Sequence, residues 1–424
     1  MIIRSLTLRI GASLLLLSMP LNMFAQPGPI PGKYIVLLKA GVSPAAVAAR
    51  HGVAPDFVYG AAVNGFAGAL PPGRLRALQD DPRVEAIVQD NAVYAFAKPS
   101  GGGSSTGQVI PEGVKRIGAA PGSVAFTGVG IGVAVVDTGV DILNADLAPV
   151  VDAFSSFGVG ASAQDDNGHG THVAGIIAAR NNSLGVVGVA PAAQIYAVKV
   201  LDGSGSGSDA SVIAGLNYVA ANANRIHVVN MSLGRPVSSD DNAMHTAIQN
   251  VVAKGITVVV AAGNDCGSEI SDQVPAGFPE VIAVASTTAK DGTKNRSGYG
   301  IGADTASYFT TDGAGVAISA PGEDQENVSN GYFISSVGIL STRLGGGTTR
   351  MSGTSMASPH TAGVAALLYQ QAGGSLSPSL VRSKLAAGAS NPLGAAPKDS
   401  PTTCYSFDGV REGVLYAPSA LAAP

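Results

Sequence analysis

Apolar positions along this chain fall into two patterns, unbroken runs and helical stripes. Residues 131–136 and 256–261 are continuously apolar or small, as strands covered on both faces should be. Residues 226–231 read as a third strand. Between them, 210–223 predicts a helix, and Met244, Ala247, Ile248, Val251 and Val252 recur at helical spacing. A further helix is predicted over 356–371. Strand, helix, strand in succession predicts a parallel sheet with right-handed crossovers and helices on both faces, an α/β fold. Reactive side chains then belong at the carboxyl ends of strands or at helix starts.

Residues 33–96 carry a pattern of their own. The stretches 34–38 and 64–70 read as strands and 44–51 as a helix. Leu75 and Leu78, followed by Asp81-Pro82, suggest a second helix and its stop. Apolar runs at 84–88 and 93–94 close this small α+β unit. Residues 97–107, Ala-Lys-Pro-Ser-Gly-Gly-Gly-Ser-Ser-Thr-Gly, predict a flexible linker by composition. The α/β domain occupies 108–424.

Composition narrows the function classes. Hydrophobic residues make up 46% and charged residues 13%, so a large buried core is available. The net charge of −4, with no basic run, argues against nucleic acid as a partner. At the N-terminus Arg4 and Arg9 precede an apolar run, 10–19, with small Ala25 after it. This predicts a secretory signal over 1–25. A membrane anchor would need about twenty apolar residues, and no later segment supplies a span. Cys266 and Cys404, an even pair in an exported chain, permit one disulfide. Neither lies near a candidate nucleophile in sequence, so a cysteine-based hydrolase has no support.

Three motifs carry the chemistry. Gly353-Thr354-Ser355-Met356-Ala357-Ser358-Pro359-His360 places a serine at the start of a helix, where unpaired N–H groups face a developing oxyanion. Val135-Val136-Asp137-Thr138-Gly139 places an aspartate just after a strand. Asn167-Gly168-His169-Gly170-Thr171-His172-Val173-Ala174-Gly175 places two histidines at another helix start. A serine hydroxyl is a poor nucleophile until an imidazole takes its proton. His51, His227 and His245 have no motif around them, and His360 points away along the helix of Ser355. His169 and His172 remain in competition, as do Asp137, Asp141 and Asp146 for the acid. Ala261-Ala262-Gly263-Asn264 ends a strand on an amide that could donate to an oxyanion or merely turn a loop.

The chain order Asp, His, Ser within these motifs resembles that of the subtilisin-like serine peptidases, the subtilases. The resemblance runs from about Lys33 to the end of the chain. It implies a subtilisin-like α/β catalytic domain, Ser355 as nucleophile, His169 as base with His172 structural, and Asp137 orienting His169. It also implies Asn264 and the backbone N–H of Ser355 as oxyanion donors. Residues 33–96 resemble the family's inhibitory propeptide, an antiparallel sheet with two helices. Its end, Asp90 to Phe96, implies self-cleavage after Phe96, a cut within the Gly/Ser linker being the alternative. Ser232-Leu233-Gly234 and Gly205-Ser206-Gly207 resemble the two edges of the substrate cleft, a simple flexible loop being the alternative for the second. Gln273 stands where many relatives carry glycine, which implies a shallower first specificity pocket.

Asn181-Asn182-Ser183-Leu184-Gly185-Val186 resembles the family's calcium loop, implying Ca2+ held by Gln108, Asp146 and Asn182 with carbonyls of Leu184 and Val186. An ordinary polar turn is the alternative there. A Cys266–Cys404 bridge would tie a loop to the pocket wall. The expected partners are protein or peptide substrates and the chain's own propeptide, acting on a secreted monomer. A narrow processing or esterase-like role, and a catalytically silent binding protein, are the rival readings. The stretch 286–350 is longer than in compact members, and the sequence does not place its insertions.

Overall fold

In β6 (Gly132–Asp137) every residue is buried, and its alternate side chains enter different cores. Val133 and Val135 face one cluster, Ala134 and Val136 the other, which is why the run is unbroken in sequence. The computed structural model describes residues 28–103, 107–147, 150–158, 160–389 and 412–424. The signal 1–25 and Cys404 lie outside the described residues, and so does part of the linker. Among the described residues no helix is long and apolar enough to cross a membrane.

The N-terminal unit contains β1 (Pro29–Leu38), α1 (Pro44–Arg50), β2 (Phe57–Tyr59), β3 (Gly65–Ala69), α2 (Pro72–Gln79) and β4 (Val84–Ala95). The two apolar runs expected near its end form one continuous strand, β4. β1 pairs antiparallel with both β3 and β4. Side chains alternate across this sheet. Val36, Leu38 and Phe66 cover Val47, Ala48 and Leu78 of the two helices in a core of the unit's own. Ile35, Leu37, Tyr59, Ala67 and Val88 join the larger domain's core instead.

Next come β5 (Lys98–Gly103), α3 (Glu112–Arg116), β6, β7 (Val150–Ser155), α4 (His169–Ala178), β8 (Gln194–Lys199), β9 (Ser206–Ser208) and α5 (Asp209–Ala221). They are followed by β10 (Ile226–Met231), β11 (Leu233–Pro236), α6 (Asn242–Ala253), β12 (Thr257–Ala261), β13 (Gln273–Val274) and β14 (Ile282–Thr288). The chain closes with β15 (Val316–Val328), β16 (Ile334–Thr342), β17 (Thr348–Ser352), α7 (Thr354–Gln371), α8 (Pro378–Ala389) and α9 (Ala417–Ala422).

The large sheet runs β5-β17-β16-β15-β14-β12-β10-β6-β8-β7. From β15 to β7 all neighbours are parallel, as the strand–helix alternation predicts. Beyond β15 the ladder turns antiparallel, so the sheet is mixed rather than parallel throughout. The cause is a hairpin, β15–β16, which lies within the stretch 286–350. Lys98–Gly103 is a strand paired with β17, where composition suggests a flexible linker; an available sheet edge overrides local preference. Helices α4, α7, α8 and α9 cover one face, and α5 and α6 the other.

The N-terminal unit seats on α5 and α6. Tyr59 Oη donates to the Ala210 carbonyl at 3.0 Å. Asn217 Oδ1 accepts the N–H groups of Gly60, Ala61 and Ala62 at 2.9, 2.6 and 3.2 Å. Asn250 Nδ2 donates to the Ala62 carbonyl at 2.7 Å. Asp90 Oδ1 accepts the Ala210 N–H at 2.9 Å, satisfying a donor in the first turn of α5.

Candidate active site

Asp137 is the last residue of β6, and His169 the first of α4 behind Gly168, whose φ is 104°. The two side chains meet at 2.7 Å, Asp137 Oδ1 to His169 Nδ1. Burial pulls the His169 pKa down, but the Asp137 charge and hydrogen bond outweigh it, and the net shift is upward. His172, one turn on, bonds the Ile339 carbonyl at 3.0 Å. Burial, then the neighbouring His169, lowers its pKa to about 3. It stays neutral, as suits a structural residue.

A second aspartate, which the sequence reading did not single out, organises this corner. Asp165 Oδ1 accepts from Thr138 Oγ1 and from the N–H groups of Asn167 and Gly168 at 2.9, 3.0 and 2.9 Å. Its Oδ2 accepts from Thr171 N and Oγ1 at 2.9 and 2.5 Å. One buried carboxylate thus ties the Asp137 strand end to the His169 helix start. Its only sequence signal is its place two residues before the motif.

Ser355 lies in the first turn of α7, fully buried, and its hydroxyl donates to the Ser232 carbonyl at 3.1 Å. His169 Nε2 is buried with no hydrogen-bond partner. Asn264 follows β12, and its Oδ1 accepts from Thr354 N and Oγ1, each at 2.9 Å. This fixes the amide so that Nδ2 points into the cleft. There it donates to the Phe96 carbonyl at 2.9 Å. A side chain at Gly353 would fall 2.4 Å from the same oxygen, and φ there is 150°. Only glycine fits.

Residues leading to Phe96 lie between the two expected cleft edges. β4 pairs with β9 on one side, Tyr94 opposite Ser206 and Val93 opposite Gly207. On the other it pairs with β11, Ala95 opposite Leu233 and Tyr94 opposite Gly234. Ala95 N donates to the Gly205 carbonyl at 3.0 Å, and Phe96 N to the Ser232 carbonyl at 3.3 Å. The Phe96 ring covers Gly234, where an added Cβ would stand 2.7 Å from the ring and 2.8 Å from the Val274 carbonyl. Gln273 is buried on β13. Its Cγ lies 3.5 Å from where a Cβ on Gly263 would be.

The site combines a buried hydroxyl, an imidazole paired to a buried carboxylate, and a fixed amide that donates to a backbone carbonyl. Comparison with known proteins agrees with that chemistry. Residues 128–402 match the model of the Subtilase family. The chain belongs to the subtilase family. It is 40% identical over 304 residues to the M-protease of Shouchella clausii (strain KSM-K16), covering 71% of this chain and 68% of that one. Subtilisin E of Bacillus subtilis (strain 168) is 36% identical over 352 residues, 80% of each chain. Among solved structures, a cold adapted subtilisin-like serine proteinase is similar at 32% identity with a TM-score of 0.54, covering 69% of this chain and 91% of that one. This subtilase is accordingly a serine endopeptidase.

Away from the cleft, Gln108, Asp146 and Asn181 to Val186 come together. Gln108 Nε2 donates to the carbonyls of Arg180 and Val186 at 2.6 and 3.1 Å and approaches Asn182 Oδ1 at 3.5 Å. Leu184 N–H donates to Asn182 Oδ1 at 2.9 Å. Asp146 Oδ2 accepts the Val186 N–H at 2.9 Å, while Oδ1 is buried with no hydrogen-bond partner. Burial raises the Asp146 pKa to about 6, against the lowering effect of the Val186 N–H. At Gly185, with φ of 44°, a Cβ would press to 2.3 Å from Asp146 Oδ2. The Arg180 carbonyl is a member of this set that the sequence reading missed. Cys266 is disulfide-bonded, and Cys404, the other cysteine of the chain, is outside the described residues.

Proposed function

We propose that this subtilase is a secreted endopeptidase made as a self-processing zymogen, with Ser355, His169, Asp137 and Asn264 as its machinery. The observation that carries the reading is the Phe96 carbonyl, held 2.9 Å from Asn264 Nδ2 by a strand lying between β9 and β11. Substrates bind in the same way, as a strand added between Gly205-Ser206-Gly207 and Ser232-Leu233-Gly234, with Gln273 beside the first pocket. The Ser355 hydroxyl swings from the Ser232 carbonyl to His169 Nε2, which takes its proton as Oγ adds to the carbonyl carbon. Asn264 Nδ2 and the Ser355 N–H receive the oxyanion. Asp137 holds the Nδ1–H and stabilises the imidazolium. Collapse breaks the C–N bond, and His169 protonates the departing amine. Water then repeats the sequence on the acyl-enzyme.

Applied to its own chain, this chemistry cuts between Phe96 and Ala97. A tethered segment meets Ser355 at high effective concentration, and residues 33–96 stay seated on α5 and α6 as an inhibitor. The residues around Asp146 fit a hard cation: an orphaned buried carboxylate oxygen, and the oxygens of Arg180, Asn182 and Val186 gathered about one amide. Turning the Gln108 amide over offers Oε1 to the same point. Ca2+ would be held there by Gln108, Asp146, Asn182 and carbonyls including those of Leu184 and Val186, tying the loop to the domain.

The test is maturation itself. Purified protein should show Ala97 as its new N-terminus, and Ser355→Ala should remain uncut. On peptide substrates the same variant should lose about 10⁶ in kcat, the size established for a subtilisin nucleophile. Unchanged maturation of Ser355→Ala purified alone would refute self-processing.

A further inference from the structure

Past the Phe96–Ala97 bond the backbone continues along the sheet as β5. Its register against β17 is Lys98 to Ser352, Pro99 to Met351, Gly101 to Arg350, Gly102 to Thr349 and Gly103 to Thr348. β17 runs straight into Gly353-Thr354-Ser355, so the strand ending at the nucleophile offers its outer edge to the chain that leaves the bond. Its inner edge is paired with β16, Ile339 opposite Met351 through Thr342 opposite Thr348. β16 in turn is paired with β15, which joins the parallel core. Arg350 Nη1 donates to Asp324 Oδ2 and, at 2.6 Å, to the Gly338 carbonyl. Asp324 is buried on β15. The guanidinium thereby clamps β17 onto the hairpin behind it.

The segment that lies on this edge is poorly suited to be a strand. Pro99, Gly101, Gly102 and Gly103 are residue types depleted in strands. The pairing therefore belongs to β17, which accepts a partner through main-chain groups whatever its side chains. Residues lacking Cβ atoms also give up the cross-strand side-chain contacts that a richer sequence would make. A substrate carrying side chains should compete well for the place.

We propose that the outer edge of β17, Thr348–Ser352, is an extended docking edge for the part of a polypeptide substrate that follows the cleaved bond. The substrate is taken up as an antiparallel strand as far as its seventh residue after the cut, the position of Gly103 relative to Phe96. The β15–β16 hairpin holds that edge from behind. The preferred substrate class is extended polypeptide with a long downstream arm, not a short peptide. This rests on the cleavage of Phe96–Ala97 proposed above.

The experiment uses the processed enzyme and peptides that all carry Ala-Val-Tyr-Ala-Phe before the cut. Two, four or seven residues follow it. From the shortest to the longest arm, kcat/KM should rise by about tenfold, mainly through KM, as main-chain hydrogen bonds add affinity. N-methylation of the arm's backbone nitrogens, at alternate positions from the fourth onward, should remove the gain in one of the two alternating sets. Equal kcat/KM at all lengths, with the shortest peptide cleaved, overturns the docking edge and leaves the peptidase reading intact. A length gain indifferent to N-methylation overturns it too. If no peptide is cut at any length, the peptidase reading fails first and the proposal falls with it.

Discussion

The cleft and the Asp146 loop are both gathered from distant parts of the chain, and both leave a buried polar atom without a partner. The surroundings of those atoms differ. In the cleft, His169 Nε2 stands open, the Ser355 hydroxyl is held by the Ser232 carbonyl, and an amide donor meets the Phe96 carbonyl. In the loop, acceptors converge: carbonyls of Arg180 and Val186, Asn182 Oδ1, and the open Asp146 Oδ1. A buried polar group left unpaired costs stability, so each opening signals something that arrives later. Donors around a carbonyl suit developing negative charge. Acceptors gathered about one amide that can turn over, with an open carboxylate oxygen among them, suit a cation. The asymmetry separates a reacting centre from a structural one before any activity is measured.

On the cleft side the largest effect after that of Ser355→Ala is expected from Asn264→Ala. It removes the amide donor and leaves the Thr354 N–H unpaired. By the measure of one oxyanion donor in a subtilisin, kcat should fall about 10²–10³-fold with KM little changed. Steady-state kinetics on a Phe-containing peptide reads this directly, and a loss below about tenfold in kcat would show that Asn264 is only a loop residue.

Gly234→Val should act next most strongly, because a Cβ there already meets the Phe96 ring at 2.7 Å and the Val274 carbonyl at 2.8 Å. Preference for Phe over Ala before the cut should drop by about 10²-fold, within the range for a few methylenes of pocket volume. Competition between the two peptides measures it. An unchanged ratio would mean that substrates do not follow the path of Phe96.

The loop should respond to metal and pH together. Chelation should lower the melting temperature by about 5 °C, a few kcal/mol of linked binding for a domain of this size. Asp146→Asn should cancel most of that difference. The metal-free Asp146 pKa of about 6 lies above the ordinary value of about 3.9. The protonated form is therefore favoured by the fold, and its contribution is full below about pH 4 and lost as pH rises through about 6. Calcium should accordingly stabilise more at pH 8 than at pH 5. Equal shifts at both pH values, measured by calorimetry with and without chelator, would sever Asp146 from the metal.

Much of the site was legible because its motifs are local. Asp137 ends an apolar run, His169 and Ser355 open helices, and Gly353 must be glycine on grounds of both φ and space. The segments that flank Tyr94 to Phe96 were legible too, since Ser232-Leu233-Gly234 directly follows the stretch that becomes β10. Asp165 escaped notice: a carboxylate with five hydrogen bonds looks, in sequence, like any loop aspartate. The Arg180 carbonyl escaped as well, because main-chain oxygens carry no residue identity.

What this chain's sequence determines alone is its inventory and its periodicities. They set which side chains can react, which runs are buried on both faces, and where an α+β unit precedes an α/β one. Tertiary structure decides pairings between segments that have no local preference for one another. Lys98–Gly103 becomes a strand because β17 offers it a sheet edge, and the parallel sheet turns antiparallel because the β15–β16 hairpin folds back on it. Strand pairing is made by backbone groups common to every residue, so its partners are chosen by proximity in the fold and leave little trace in composition.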